Sequence, residues 1–280
     1  MLTLITAPGF GAWGNQWWTP LLFLVVAGHL TNACISLYLH RCQAHGSVTF
    51  HAPAAFGMRT WLWLTTAIKT REWVACHRKH HAFSDRAGDP HSPLREGLPN
   101  IIMKGYFYYR RAVREPGVLE KYGAGTPNDW FERKLNGRLQ WLGLGIMLAV
   151  DVYLFGAVSG ALVWLGQLLW VPLWAAGVVN GLGHAVGYRN FAIKGASRNV
   201  VPLAVWLVGE ELHNNHHADP ASARFKARWF EVDIGWTYLR LLGLMGLAYV
   251  GRPVGRRSIG EPVTWAYTRT DLPIRSHDGD

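Results

Sequence analysis

Two pentapeptides in this chain repeat one histidine spacing, His77-Arg78-Lys79-His80-His81 and His213-Asn214-Asn215-His216-His217. A third cluster, His40-Arg41-Cys42-Gln43-Ala44-His45, separates two histidines by five positions. Eight of the thirteen histidines lie in these three boxes. On a helix of about 3.6 residues per turn, positions i, i+3 and i+4 share a face. Imidazole is the commonest protein metal ligand, so three of them on one face read as part of a metal site. A single histidine is more often a bonded core residue or a solvated one, but that reading does not extend to three boxes in one chain. Eight imidazoles exceed what one ion takes, and two ions with nitrogen-rich shells would use them.

The other donors narrow the chemistry. Carboxylate-type di-iron bundles take Glu from two helices and Glu-x-x-His from two more. This chain has one Glu-x-x-His, Glu210 to His213, and no second. An imidazole shell suits Fe, Zn, Cu or Ni, and composition does not choose between iron and zinc. With His184 counted, nine histidines make two irons the most economical reading. Glu210 and Glu211 are then expected to accept from ring N–H groups and so orient ligands. Arg41, Arg78 and Lys79 stand between candidate ligands and read as solvated charge or headgroup contacts.

The elements that must carry these boxes are apolar. Half the residues are hydrophobic, fifteen are tryptophan, and the net charge is +10. The charge is segregated. The first basic residue is Arg41, the first acidic one is Glu72, and Asp151 is the only charge between Arg138 and Arg189. Stretches emptied of charge and bordered by tryptophan are a bilayer signature. With no basic module apart from the spans, nucleic acid is excluded as a partner. Cys34, Cys42 and Cys76 form no regular framework and read as reduced thiols. No cleavable signal is expected, since the N-terminus lacks a positive n-region.

Crossing a hydrocarbon core of ~30 Å takes about 20 apolar residues. Three stretches qualify, at about 18–39, 139–157 and 161–183. The first ends in His40, which sets the first box at or just beyond a membrane boundary. The other two form a hairpin turning at Gly156-Ala157-Val158-Ser159-Gly160, with a bonded or water-exposed Asp151 near its far end. It returns the chain to the side of the boxes and delivers Asn180 and His184, four apart on one helix face. Residues 52–69 and 232–250 are apolar but interrupted by charge; the first reads as an interfacial or re-entrant helix and the second as an interfacial one. Residues 94–136 form a non-membrane segment. The expectation is an all-α integral membrane protein with about three transmembrane helices, interfacial helices and a cytosolic helical cap bearing the boxes. Residues 1–251 would be one membrane-embedded domain and 252–280 a loose polar tail. Every Lys and Arg lies in 41–138 or 189–280, so the positive-inside tendency puts the boxes in the cytoplasm and the N-terminus outside. For a bacterial chain the membrane would be the inner one. His29 lies inside the first span, ~16 Å deeper than His40 at ~1.5 Å per residue. It reads either as a polar residue bonded to a neighbouring helix or, with Trp73, as lining of a tunnel that leads to the metals.

HRCQAH, HRKHH and HNNHH, in this order, resemble the histidine boxes of membrane-bound fatty acid desaturases of the acyl-CoA/acyl-lipid type. Glu72-Trp73-Val74-Ala75 before box two, Asp89-Pro90-His91-Ser92 after it, and Gly209-Glu210 and Ala218 around box three extend the likeness from about residue 25 to residue 250. The resemblance implies a di-iron centre (Fe2+/Fe3+) that uses O2 as co-substrate and two external electrons to place a cis double bond, expected at Δ9, in a saturated long acyl chain. Carried over by position, the ligands are His40, His45, His77, His80, His81, His184, His213, His216 and His217, with Asn180 holding a water at one iron. His51, His91 and His277 match no ligand position. The chain is counted at three spans where the family commonly has four. With no haem-binding domain recognised, electrons are expected from a separate carrier: a ferredoxin, a cytochrome b5-like protein or a reductase. The acyl group could be carried by CoA, by carrier protein or by membrane lipid. The nearest rival is a histidine-box di-iron lipid hydroxylase or mono-oxygenase. A more remote one is a membrane metal-binding protein with no oxygen chemistry.

Overall fold

The computed structural model describes residues 11–13, 16 and 18–251. The expected polar tail at 252–280 and His277 lie outside them. Among the described residues the chain is mostly helical, and two helices are long and apolar enough to cross a membrane, Trp18–Ala44 and Ala157–His184. A third crossing arises only if Glu132–Arg138 and Gln140–Phe155, bent by 70° to each other, act as one span.

The first helix begins as α1 (Trp18–Cys34) and then widens into π-helical turns over Ile35–Ala44. The first box therefore sits within the helix, which runs five residues past the expected span end at 39. The widening explains the box. The backbone N–H of His45 bonds the carbonyl of His40 at 3.1 Å, an i→i+5 contact. One wide turn thus brings both histidines to the same side. Regular α-geometry would rotate them about 140° apart.

A short strand, β1 (Val48–Phe50), leads into α2 (Ala52–Thr65) and α3 (Thr70–Phe83), the helix of box two. The 94–136 segment holds α4 (Pro93–Glu96), α5 (Leu98–Arg114), α6 (Val118–Tyr122) and the start of the Glu132–Arg138 wide turns. α7 (Gln140–Phe155) and α8 (Ala157–Val171) form the hairpin. Its turn is tighter than expected, Gly156 alone at φ 80° and ψ 168°, a conformation open to glycine. α8 runs on past Pro172, which has no N–H to continue the ladder, through wide turns over Pro172–Gly181 to a last tight turn at Leu182–His184. The third apolar segment is thus 157–184, and His184 is its final residue.

Beyond it come β2 (Leu203–Ala204), α9 (His213–Ala218) with box three, β3 (Val232–Asp233), α10 (Ile234–Leu244) and β4 (Ala248–Val250). Residues 232–250 are thus not one interfacial helix. Two small ladders depart from the all-α expectation: β1 pairs antiparallel with β4, and β2 parallel with β3. The first ties the end of the described chain to the exit of box one. The membrane-length helices pack through small residues, as chains in lipid must. Gly28 of α1 lies against the Trp170 indole, where an added Cβ would meet the ring at 2.2 Å. Asp151 is buried rather than water-exposed.

Candidate metal centre

The two HxxHH boxes are read in opposite senses by two clusters. His40, His45, His77, His81 and His216 form one set, and His80, His184, His213 and His217 the other. In each set the ligand-capable atoms lie within 4.8 Å of one another. From α3 the i and i+4 imidazoles enter the five-histidine set while His80 crosses to the other. From α9 His213 and His217 enter the four-histidine set and His216 crosses back. The shared helix face is therefore split between two centres, and all nine candidate histidines are used once.

The donors fit metal ions. Nε2 atoms stand 3.0 Å apart in His40–His216 and in His216–His81, and 2.8 Å apart in His45–His77. In the other set the separations are 2.9 Å for His184–His213, 3.1 Å for His213–His217 and 3.3 Å for His80–His217. Nitrogens bound at about 2.1 Å and at right angles to each other are about 3.0 Å apart. Hydrogen bonding explains the cluster less well, because His216 and His213 each have two such neighbours and Nε2 has one lone pair or one proton. Burial, then the neighbouring imidazoles, push His45, His77, His213, His216 and His217 well below the ordinary histidine range, and His81 with them. The rings are neutral at neutral pH and their lone pairs are free for a metal.

Carboxylates take the opposite ring nitrogens. Nδ1–H of His40 donates to Glu210 at 2.8 Å, that of His80 to Asp89 at 3.0 Å, and that of His184 to Asp85 at 2.8 Å. Such contacts fix the tautomer with Nε2 toward the metal. Asp85 and Asp89 have no place in the sequence reading, although Asp89 opens the Asp-Pro-His-Ser run noted after box two. Asp85 also accepts from Ser92 and from the Ala196 N–H, so it joins box two to the loop after His184. Glu210 is held in its low, ionised form. Burial raises it, but His40 and Arg41 outweigh burial. Glu211 is placed differently from the expectation. Its carboxylate accepts from the Leu207 N–H at 2.7 Å and meets no ligand ring, and burial pushes it up to about 7.

The asparagines of box three point away from the imidazole clusters. Asn199 Oδ1 accepts the N–H groups of Asn214 and Asn215 at 2.9 and 3.1 Å. Asn215 donates to Glu231 at 2.9 Å, which also accepts from Tyr188 and Asn190, both at 2.7 Å. This buried polar layer anchors a helix of six residues, too short to hold itself. The cations between ligands are structural, not solvated. Arg41 has no exposed surface. It donates to Ser36 Oγ and Ala223 O, pairs with Asp233 at 3.3 Å and lies over the Phe225 ring at 3.8 Å. Gly209, at φ 100°, and Gly235 leave room for the guanidinium. Arg78 bonds the carbonyls of Gln43, Ala44, Tyr122 and Ala124, and Lys79 pairs with Glu115.

A cavity of ≈130 Å³ reaches these donors. Trp73, Ile68, Val171, Ala175 and Tyr109 give it an apolar wall, and His40, His77, His213 and Glu210 its polar end. Asn180 lines it, as does His91, whose ring stacks on His80 at 4.7 Å. Trp73 stacks on His77 with centroids 5.0 Å apart. His29 is not among the lining residues. It bonds the Tyr238 hydroxyl of α10 at 2.8 Å, the bonded alternative of the two expected for it.

Nine imidazoles closing on two points, beside an apolar cavity framed by membrane-length helices, form two groups that could hold metal ions. A family model described as fatty acid desaturase matches residues 15–250, and the chain belongs to that family. It is therefore an oxidoreductase of lipid metabolism. It is 31% identical over 248 residues to the Delta-9 desaturase-like 4 protein of Arabidopsis thaliana, covering 84% of this chain and 77% of that one. It is 30% identical to Delta-9 acyl-lipid desaturase 2 of the same organism, covering 87% and 76%. A relative of another description, hex-5-enoyl-[acyl-carrier protein] acetylenase of Moorena producens, is 28% identical over 83% of this chain and 78% of its own.

Proposed function

We propose that this chain places a cis double bond at Δ9 of a saturated long acyl chain, with O2 as oxidant and two irons as cofactor. In balance, one –CH2–CH2– unit, O2, two electrons and two protons give –CH=CH– and two waters. The observation that carries the reading is the division of nine imidazoles into sets of five and four, of which His40, His77 and His213 line an apolar cavity. The Delta-9 names of the Arabidopsis relatives support the bond position.

In this reading His40, His45, His77, His81 and His216 hold one iron, and His80, His184, His213 and His217 the other. Bound iron would supply the O2 activation that C–H removal needs. The remaining work belongs to the chain itself. Glu210, Asp89 and Asp85 keep Nδ1 protonated on His40, His80 and His184, so each Nε2 lone pair faces inward. Asn180, on the cavity wall, holds a water. The apolar wall takes up the methylene chain and excludes bulk water from the oxidising site. Trp73 fixes the chain against His77. Residues 1–251 act as one membrane-embedded unit with the boxes on the cytoplasmic side, a reading supported by the Lys/Arg distribution. Electrons come from a separate carrier.

The test is expression in a host without its own desaturase, followed by mass spectrometry that locates double bonds, with His216→Ala as control. A new Δ9 monounsaturated chain, absent from the variant, is expected. A hydroxylated chain would move the assignment to the rival oxygenase. A triple bond in an unsaturated precursor would match the acetylenase relative.

A further inference from the structure

We infer that residues 201–206, with Val232 beside them, form a lipid-facing arm that dips into the bilayer next to the two membrane-length helices and returns to box three. The lipid here is solvent and not substrate. The inference rests on the membrane-embedded reading and departs from the expected cytosolic cap, because the arm lies between His184 and His213.

The arm is bonded to both membrane-length helices well below the imidazoles. The Trp206 carbonyl accepts from Asn32 Nδ2 at 3.1 Å, and the Val208 carbonyl from Ser36 Oγ at 3.0 Å. Asn32 stands eight residues before His40, about 12 Å along the helix at ~1.5 Å per residue. On the other side the Trp206 ring lies 5.6 Å from that of Trp170 and 5.4 Å from that of Trp174, which is ten residues before His184. Trp170 Nε1 in turn donates to Asn32 Oδ1 at 3.2 Å. Trp206 is thus wedged between the two helices at a depth where lipid surrounds them.

The outward side chains suit lipid and not water. No charge occurs between Arg198 and Glu210. Val201, Leu203 and Val205 are exposed, Leu203 at 62%, while Ala204 between them is buried. This is the alternation of a strand, but an aqueous face would carry polar residues at the outward positions. Val232, paired with Leu203 in the ladder, is exposed as well. A contiguous exposed apolar patch marks contact with a membrane or with protein, and continuity through Trp206 with the membrane-length helices selects the membrane. Unpaired backbone is the usual bar to irregular chain in lipid. Here the Val200 and Leu207 N–H groups donate to Glu211, Val205 N–H to Leu203 O and Val208 N–H to Val205 O, while Pro202 has no N–H and its carbonyl accepts from Val232. The edge of the patch has the make-up of a headgroup belt: Trp229 and Phe230 are exposed just before Val232, after the cations Arg224, Lys226 and Arg228. The arm runs on through Gly209 into Glu210, so lipid steadies the segment that presents this carboxylate to His40.

The test is electron paramagnetic resonance on the full chain in phosphatidylcholine vesicles. Leu203→Cys and Val205→Cys each carry a nitroxide. Leu165→Cys, exposed on α8, and Ala87→Cys, exposed in the turn after box two, are the references, and wild-type protein taken through the labelling is the blank. Collisions with O2, which concentrates in the bilayer, are compared with collisions with a nickel chelate, which stays in water. The Leu203 and Val205 labels are expected to lose the nickel collisions seen at Ala87 and to gain O2 collisions, as the Leu165 label does. Two outward positions keep the test open if one variant does not fold. Arm labels that meet nickel as Ala87 does, with Leu165 shielded, would overturn the arm and leave the spans standing. A Leu165 label that also meets nickel would sink the membrane-embedded reading together with the arm. Shielding of the arm from both probes, or dipolar broadening between copies, would put protein on this face and overturn the proposal. None of these readouts depends on turnover.

Discussion

Replacing Glu210 by Gln should loosen one ion and spare the other. Glu210 Oε1 accepts from His40 Nδ1 at 2.8 Å and from Ser36 Oγ at 2.5 Å, and stands 3.6 Å from Arg41 Nη1. Glutamine keeps the volume and one acceptor oxygen but loses the charge that makes the opposite nitrogen of His40 a stronger donor. Losing such a support costs about 10–100-fold in metal affinity, or roughly 1.4–2.7 kcal/mol. His40 belongs to the five-histidine set alone, while the four-histidine set is supported by Asp85 and Asp89. A chelator titration of the metal-loaded protein, read by elemental analysis, should therefore show one of two ions released at about 10–100-fold lower chelator and the other unmoved. Asp85→Asn should produce the mirror result. If E210Q shifts both ions together, or neither, the two-centre division is wrong. If it lowers the unfolding temperature without changing either release step, Glu210 serves Arg41 and not His40.

Other outcomes follow from the same geometry. Asn199→Ala should leave the Asn214 and Asn215 N–H groups unpaired, at about 1–3 kcal/mol for an abandoned buried donor; a fall in melting temperature in detergent is expected, and an unchanged one would remove Asn199 from the support of α9. Arg41→Ala should cost about 3–5 kcal/mol, because it strands buried Asp233; a variant of wild-type stability in chemical denaturation would contradict the buried pairing. For Asp85, burial acts upward, but the hydrogen bond and charge of His184 prevail and hold it at about 2. A carboxyl lower in the folded state than its ordinary ~3.9 stabilises above that value and loses its contribution as pH falls toward 2. Wild-type protein should lose stability across that window more steeply than D85N, whereas equal slopes would refute the link. Trp73→Ala should remove the ring behind His77 and broaden the double-bond positions formed; an unchanged product profile would show that Trp73 does not set the register.

Much of this was open to reading along the chain. The histidine spacings, the charge-free stretches and the single Glu-x-x-His needed no fold, because metal-ligand chemistry and bilayer length leave short-range marks. The nine nitrogens that converge are the nine that spacing and family likeness had named. Local pattern was a poorer guide to element ends: the box-one helix runs on to Ala44, and the 232–250 segment holds strands as well as a helix. Apolar runs locate spans, but backbone hydrogen bonds decide where a helix widens or stops.

What the sequence determined by itself is the imidazole-rich donor set and the long apolar helices, since each depends on residue identity and nearest-neighbour spacing. Only the tertiary structure decided how the boxes divide. His80 and His216 cross to the set opposite their own box neighbours because α3 and α9 face each other across two centres, and no helical period encodes that. It also decided which carboxylates serve the rings: Glu210 reaches back to His40, and Asp85 reaches across 99 positions to His184. Arg41 reads as a surface cation from its neighbours. It is buried because Asp233, Phe225 and two glycines, all far along the chain, are folded around it.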